Sequence, residues 1–220
     1  MNTDLQSLSH RMILTAAMPF DDLNAVENLL KKTTSFRGYA VLPSFVKAAR
    51  KLLPHDNGSK LIGLVGYPSG GVTSKTKVNE VRDLVYDGVN EFHVVANTGQ
   101  ILSGQWQDLE CELISVNHSA NGLPVSLIME AAYLNDHQIM RLVNLCVDTG
   151  IHSIGTSTGW LPMNPDLDQI HKIQEIVYDR LPIIISGTVN LDQTVELINS
   201  GIDCLIVRMQ HAEAILAQLA

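Results

Sequence analysis

Short apolar runs rich in β-branched residues alternate along the chain with longer segments of helical periodicity. The runs LIGLV at 61–65, III at 183–185 and CLIV at 204–207 are almost continuously apolar. Such runs are typical of strands that are buried on both faces. With five similar segments they predict eight strands, at positions 11–14, 39–42, 61–65, 92–96, 125–128, 153–156, 183–185 and 204–207.

Helical patterns fill much of the space between these runs. Segments 76–87 and 136–149 carry apolar residues at helical spacing, and Gly150 follows the second as a helix stop. Further helices are predicted in the segment that Asp166 opens, at 192–200 and at 211–220. Eight strands, each followed by a helix or a long loop, predict a (β/α)8 TIM barrel of class α/β, with residues 1–220 as a single domain.

An open, doubly wound sheet is the alternative, because periodicity does not distinguish a closed sheet from an open one. No GxGxxG motif follows the first predicted strand, so the sequence gives no support for a dinucleotide site.

Composition narrows the possible partners. The 220 residues are 45% hydrophobic and only 5% aromatic, which predicts a folded chain with an aliphatic core. The net charge of −8 argues against a nucleic-acid or anionic-membrane surface, because phosphate backbones need a clustered basic face. A small anionic ligand remains possible, since it needs only one local site.

Cysteine and histidine spacing excludes several further classes of protein. The chain has three cysteines, Cys111, Cys146 and Cys204, and no CxxC motif. The odd number and wide spacing argue against a disulfide framework or a zinc ribbon and favour a reducing, cytoplasmic location. No apolar run approaches the roughly 18 residues of a membrane span, and no signal peptide is expected. Without HxH or HExxH spacing, neither a metal nor another cofactor is predicted.

The order of short motifs carries a resemblance to a known family. The segments are 61–106 with GYPSGG, 125–142 with VSLIMEAAYL, 150–160 with GTSTGW, and 183–203 with IIISGT. In this order they resemble successive βα units of the deoxyribose-phosphate aldolase family, over about residues 39–208. The resemblance implies a (β/α)8 barrel and a class I aldolase, which cleaves 2-deoxyribose 5-phosphate to glyceraldehyde 3-phosphate and acetaldehyde through a lysine Schiff base.

Carried over position by position, the family's chemistry is missing. The Schiff-base lysine falls on Gly155 and the second lysine on Ile184, while the proton-transfer aspartate falls on His93. Another family lysine falls on Ser126, and a cysteine on Ala40. A Schiff base needs an amine with a lowered pKa, which neither glycine nor isoleucine supplies. We therefore predict that the Schiff-base mechanism is absent.

The remaining lysines are all expected outside the barrel interior. Lys75 and Lys77 follow the third strand, and we interpret them as a solvated helix start. The others are Lys31, Lys32, Lys47, Lys51, Lys60 and Lys172.

The family's phosphate site is partly retained. The resemblance implies that hydroxyls and backbone amides of two turns bind the phosphate; here these turns contain Thr156, Ser157, Thr158, Gly159, Ser186 and Gly187. Thr188 replaces the glycine that follows in the family, and its Cβ disfavours a close backbone approach to an anion. Arg208, near the end of the eighth strand, either clamps a phosphate or carboxylate or pairs with a local acid.

Three more polar residues are candidates for the site. Strand alternation places His93 inside the barrel, either as a general base or as a hydrogen-bonded core histidine. Glu130 matches a family glutamate and is either a structural or a catalytic carboxylate, and Asn97 at the rim could donate hydrogen bonds to a ligand. The histidines predicted to lie on the surface are His10, His55, His118, His137, His171 and His211.

Three hypotheses of function follow. The first is a degenerate family member that binds a small sugar phosphate or related anion, for ligand binding, sensing or assembly with a partner. The second is a lyase or isomerase of altered chemistry, with His93 as general base and Glu130 as an orienting carboxylate. The third is the family activity with an unconventional lysine. A homo-oligomer or a hetero-partner is possible under each.

Overall fold

Eight parallel strands close into one barrel in sequence order, β1 to β8, with β8 returning to pair with β1. The structure is a computed structural model and describes residues 5–31, 35–53, 58–161, 166–187 and 190–218. The predicted (β/α)8 barrel is therefore confirmed, and the open-sheet alternative is excluded.

The strands are short and nearly all of their residues are buried. Their bounds are β1 Met12–Ala16, β2 Gly38–Val41, β3 Lys60–Val65, β4 Glu91–Val95, β5 Val125–Ile128, β6 Ser153–Gly155, β7 Ile183–Ser186 and β8 Cys204–Arg208. Each lies within two residues of its predicted position at both ends, because continuous apolar runs mark these buried strands clearly.

Ten α-helices are found in the described part of the chain. They are α1 Leu5–Ser9, α2 Leu23–Leu30, α3 Pro43–Leu52, α4 Ser74–Asp87, α5 Thr98–Leu102, α6 Trp106–Ser119, α7 Asp136–Asp148, α8 Leu167–Val177, α9 Leu191–Asn199 and α10 Met209–Leu216. Helical periodicity in the sequence predicts α4, α7, α8, α9 and α10, whereas the other five helices are not predicted. Residues 219–220 of the predicted last helix lie outside the described residues.

Strand alternation divides the core into two layers. Side chains that point outwards, such as Phe92 and Val94 of β4, join the large apolar layer between barrel and helices. Side chains that point inwards form a smaller apolar cluster that includes Ile62, Leu64 and Ile184. The family's second lysine position, Ile184, is thus part of the fully buried interior.

Charged residues close the amino-terminal end of the barrel. Arg37 pairs with Asp203, and Arg11 donates to the backbone carbonyls of Ile202 and Asp203 at 3.1 and 3.2 Å. The Lys60 Nζ lies 3.0 Å from the Glu91 Oε2 at the same end. These contacts leave the opposite, carboxyl-terminal end as the open mouth.

The structure corrects the interpretation of Lys77 as part of a solvated helix start. Lys77 lies outside the barrel interior, as predicted, but the interpretation as a solvated residue is wrong, because its side chain is fully buried between α4 and α6. Its Nζ lies 2.6 Å from the Glu112 Oε1 and 2.8 Å from the Val95 carbonyl oxygen. Burial lowers the pKa of Lys77, and the Glu112 carboxylate opposes that shift. Its neighbour Lys75 is exposed, as predicted.

No helix in the described part of the chain has both the length and the apolar character needed to cross a membrane.

Candidate functional site at the barrel mouth

Three adjoining cavities occupy the carboxyl-terminal end of the barrel, where (β/α)8 proteins build their sites. The mouth cavity, about 440 Å³ including space open to solvent, is lined by Thr15, Ala17, Met18, Tyr67, Thr158, Gly159, Ser186, Gly187, Ile206, Arg208 and His211. The inner chamber, with about 20 Å³ of space and so room for about one water molecule, is lined by Thr15, Ala40, Leu64, Tyr67, His93, Val95, Ile128, Ser157, Thr158 and Ile206. The side cavity, about 760 Å³, lies towards α8 and includes Glu130, Thr156, Ser157 and Ser186.

The turn after β6 is held rigidly by side-chain hydrogen bonds. The Glu130 carboxylate accepts from the backbone N–H of Thr158 at 3.1 Å and from the Thr158 hydroxyl. The Ser157 hydroxyl donates to the Ser186 carbonyl at 3.0 Å, which ties this turn to the end of β7. Glu130 is therefore engaged in holding the turn that faces the mouth cavity.

Glycine is required at position 159 of this turn. Its φ is +70°, and a Cβ there would lie 2.8 Å from the Ser186 Oγ. The turn and the end of β7 thus approach each other through a residue without a side chain. Gly187, with φ of +138°, lines the same cavity, whereas Thr188 lies outside the described residues.

Arg208 brings a positive charge to the mouth cavity. Its guanidinium Nη2 lies 3.6 Å from the Asp21 Oδ1, and its Cζ lies 5.4 Å from the centre of the Phe20 ring. At 3.6 Å the contact with Asp21 is an ion pair rather than a good hydrogen bond. The structure shows Arg208 paired with a local acid, Asp21, while it also lines the mouth cavity; the predicted clamp on a phosphate or carboxylate stays a prediction.

Tyr67 and His211 line the mouth cavity, and the sequence analysis assigned neither to the site. Tyr67 directly follows the glycine that opens the GYPSGG motif, so the resemblance offered a signal for it. Burial, together with the charges of Glu130 and Asp21, raises the pKa of Tyr67 to about 12, and Arg208 opposes that shift only partly. Its phenol therefore remains a hydrogen-bond donor at neutral pH. His211, predicted to lie on the surface, is half-buried at the mouth.

Asn97 lies away from these cavities. Its side chain accepts from the Gln100 backbone N–H at 3.2 Å and caps α5, and it faces a groove between the loop after β3 and α6. Thr156 is buried and lines the side cavity. The ligand contacts predicted for both residues stay predictions.

Ile128 occupies the space beside Gly155. The two residues are register partners in the pairing of β5 with β6, and a Cβ built on Gly155 would lie 2.4 Å from the Ile128 Cδ1. A lysine stem therefore does not fit at position 155 unless Ile128 moves. The family's Schiff-base position is both without an amine and filled by hydrocarbon.

No lysine of the described residues lines any of the three cavities. Lys60 contacts Glu91 at the opposite end of the barrel, and Lys77 lies in the layer between barrel and helices. Lys32 lies outside the described residues.

His93 lies on the floor of the inner chamber, and Glu91 contacts it from the side of the amino-terminal end of the barrel. Both side chains are fully buried on the inner face of β4, and the His93 Nε2 lies 3.4 Å from the Glu91 Oε1. Burial alone would raise the pKa of Glu91, but the contacts with His93 and with Lys60 outweigh burial and lower it to about 2. The predicted interior position of His93 is confirmed. Beside it, the Ser126 and Ser153 hydroxyls are 2.6 Å apart.

No group of histidine, cysteine, aspartate and glutamate side chains that could hold a metal is found within the described ranges.

A closed parallel barrel with a polar cavity at its carboxyl-terminal end defines the chain as a (β/α)8 protein with a candidate site at the mouth. No family model matches the sequence. A deoxyribose-phosphate aldolase of Klebsiella pneumoniae is 36% identical over 145 residues, which are 65% of this chain and 58% of that protein. A deoxyribose-phosphate aldolase of Thermosynechococcus vestitus is 31% identical over 167 residues, 76% of each chain. The chain belongs to the deoxyribose-phosphate aldolase family.

Solved structures support the fold. The tetrameric deoxyribose phosphate aldolase from Aeropyrum pernix superposes with a TM-score of 0.85 at 22% identity, covering 98% of this chain and 92% of that one. The aldolase QR15 superposes with a TM-score of 0.87 at 23% identity, covering 96% and 95%. The chain spans less than two thirds of the Klebsiella relative and about three quarters of the Thermosynechococcus one.

Proposed function

We propose that this family member binds a small sugar phosphate, or a related anionic molecule, at the barrel mouth and does not form a Schiff base. The observation that carries the proposal is the pairing of Gly155 with Ile128, whose Cδ1 lies 2.4 Å from where a Cβ at 155 would stand. An imine needs a lysine amine within reach of the bound carbonyl, and the described lysines lie elsewhere.

The mouth cavity supplies suitable groups for the anion. Arg208 offers a guanidinium, which binds phosphate oxygens in pairs. Ser186 offers a hydroxyl, and Gly159 brings backbone close to the cavity. Because the chain carries a net charge of −8, this positive charge is a local feature rather than part of a general basic surface.

A binding barrel of this kind would serve as a ligand sensor or as a subunit that assembles with a partner. Assembly with copies of itself is supported by the tetrameric relative from Aeropyrum pernix. A cytoplasmic location is supported by the cysteines Cys111, Cys146 and Cys204, which are free thiols.

A second candidate function is a lyase or isomerase of altered chemistry acting on a small phosphorylated or acidic sugar, with residual aldolase-like activity included. The observation that favours it is the imidazole of His93 on the floor of the inner chamber, where the family places its proton-transfer aspartate. In this function Glu130 orients the turn that contacts the substrate, through its hydrogen bonds to Thr158.

Calorimetric titration with 2-deoxyribose 5-phosphate and with inorganic phosphate tests the binding function. The wild-type chain is expected to bind, and Arg208→Ala to weaken binding by roughly 10- to 100-fold, because a hydrogen bond to a charged group contributes about 1.5–3 kcal/mol. Arg208→Lys should fall between the two, since an ammonium does not bind in a bidentate manner.

The control is Arg82→Ala, which removes the same charge from an exposed position on α4. Absence of binding by the wild type contradicts the proposed function. Equal affinity of wild type and Arg208→Ala contradicts the assignment of Arg208.

A further inference from the structure

We propose that Glu91 and His93 form a carboxylate–imidazole pair that exchanges a proton with the carbon next to the carbonyl of a bound sugar phosphate, with no imine. In this pair His93 is the catalytic base and Glu91 is its positioning residue. The inference rests on the proposed function, since it requires a sugar phosphate bound at the mouth.

The first support is the position of Glu91 between the Lys60 ammonium and the His93 imidazole. One carboxylate oxygen, Oε2, lies 3.0 Å from the Nζ of Lys60, which is partly exposed at the amino-terminal end. The other, Oε1, lies 3.4 Å from the His93 Nε2. The Glu91 carboxylate is therefore held by Lys60 through one oxygen, and its second oxygen faces the imidazole of His93.

The second support is the state of the imidazole nitrogens. His93 is 1% exposed, and neither of its ring nitrogens has a hydrogen-bond partner among the described residues, since the 3.4 Å contact of Nε2 with the Glu91 Oε1 is an ion-pair distance. Leaving a buried polar atom unpaired is unfavourable, so such atoms are uncommon and mark places where a ligand can supply the partner. With the Nε2 proton facing Glu91, the Nδ1 carries the lone pair that a base needs.

The third support is the continuity of the two cavities. Thr15, Tyr67, Thr158 and Ile206 line both the mouth cavity and the inner chamber. A ligand whose phosphate contacts Arg208 at the mouth can thus bring its carbonyl oxygen to the entrance of the chamber, which has room for a group of about that size. The hydroxyls of Thr15 and Tyr67 border the chamber and can donate hydrogen bonds to a negatively charged oxygen there.

The reaction is a reversible proton transfer that needs no other reactant. The His93 Nδ1 takes a proton from the carbon next to the carbonyl, the C–H bond breaks, and its electron pair moves to give a carbon–carbon double bond and an enolate oxygen. The imidazolium is stabilised by the Glu91 carboxylate and then returns a proton to the same carbon. In D₂O the imidazole exchanges with solvent before the return, so deuterium enters the ligand.

The test follows the carbon-2 protons of 2-deoxyribose 5-phosphate by ¹H NMR in D₂O, with binding measured in parallel by calorimetry. The wild type is expected to replace these protons by deuterium. His93→Ala should slow the exchange by at least about 100-fold, as expected for loss of a general base. His93→Gln, which fills more of the space, should be similarly slow.

Glu91→Gln separates positioning from folding. We expect it to reduce the maximal exchange rate by at least about 10-fold, because an amide does not stabilise the imidazolium, while the dissociation constant of the ligand stays unchanged. Glu91→Asp should recover part of the rate, since it restores the carboxylate. The matched control is Glu175→Gln, the same change on an exposed position of α8.

The outcomes distinguish the two proposals. Binding by the wild type without exchange overturns the proton-transfer pair and leaves the binding function intact, whereas absence of binding overturns both. Exchange at the wild-type rate in His93→Ala or His93→Gln overturns the role of His93. A Glu91→Gln variant with the wild-type maximal rate overturns the role of Glu91.

Discussion

Replacing Lys77 by methionine is expected to lower the free energy of unfolding by about 3–5 kcal/mol, which is a large effect for a single substitution. The variant leaves the buried Glu112 carboxylate without its cation, and an uncompensated buried charge costs about that much. It also removes the donor to the Val95 carbonyl at the end of β4. Chemical denaturation, followed by circular dichroism, measures the change.

Two variants sharpen the measurement on Lys77. Lys75→Met alters an exposed lysine two residues earlier on α4 and should change stability by less than about 0.5 kcal/mol. The double variant Lys77→Met with Glu112→Leu should lose clearly less than the sum of the two single variants, because apolar partners avoid the unpaired charge. Equal stability of wild type and Lys77→Met would contradict the buried ion pair.

Gly155→Ala is expected to destabilise the protein by about 0.5–1.5 kcal/mol, because the added methyl group displaces the Ile128 Cδ1 and moves that side chain from its present rotamer. Gly155→Lys should cost at least as much, since its stem begins at the same Cβ. Shortening the neighbour in the double variant Gly155→Ala with Ile128→Val should recover part of the loss. Denaturation midpoints of the three variants against the wild type provide the measurement.

The matched control for this prediction is Gly71→Ala on the exposed loop after β3. An added Cβ there meets only the Ser69 Oγ at 3.4 Å, which is ordinary contact. A Gly155→Ala protein as stable as the wild type, with Ile128 unmoved, would show that the space beside position 155 is open after all.

The strands could be predicted well from the sequence alone, because buried parallel strands produce apolar runs that need no partner to be recognised. Helix α6 could not be predicted from the sequence, because its apolar periodicity is interrupted on both faces. Its inward face includes the buried Glu112, and its outward face includes Ile114, which is 51% exposed. Apolar periodicity therefore underestimates a helix that buries a charge.

The error on Lys77 has the same origin. A lysine in the first turn of a helix is ordinarily solvated, and its partner lies 35 residues further along the chain, on the helix that the periodicity missed. Only the packing of α4 against α6 brings the two residues together, and no local pattern encodes that packing.

Some features of the candidate site could likewise be predicted from the sequence, and others could not. The loss of the family lysine at Gly155 and the inward direction of His93 both follow from residue order and strand alternation. That Ile128 fills the space beside Gly155 depends on the register between β5 and β6, which the sequence does not state. The contact of Glu91 with His93 could have been predicted from the sequence, because residues two apart on a strand share a face.

Reductive trapping tests the absence of a reactive amine most directly. The wild-type protein is incubated with acetaldehyde or 2-deoxyribose 5-phosphate, treated with borohydride and weighed by intact-mass spectrometry beside an authentic class I aldolase. We expect an unchanged mass for this chain, because no described lysine lines the cavities at the mouth. A stoichiometric adduct mapped to one lysine would contradict the proposal and restore the family's imine chemistry.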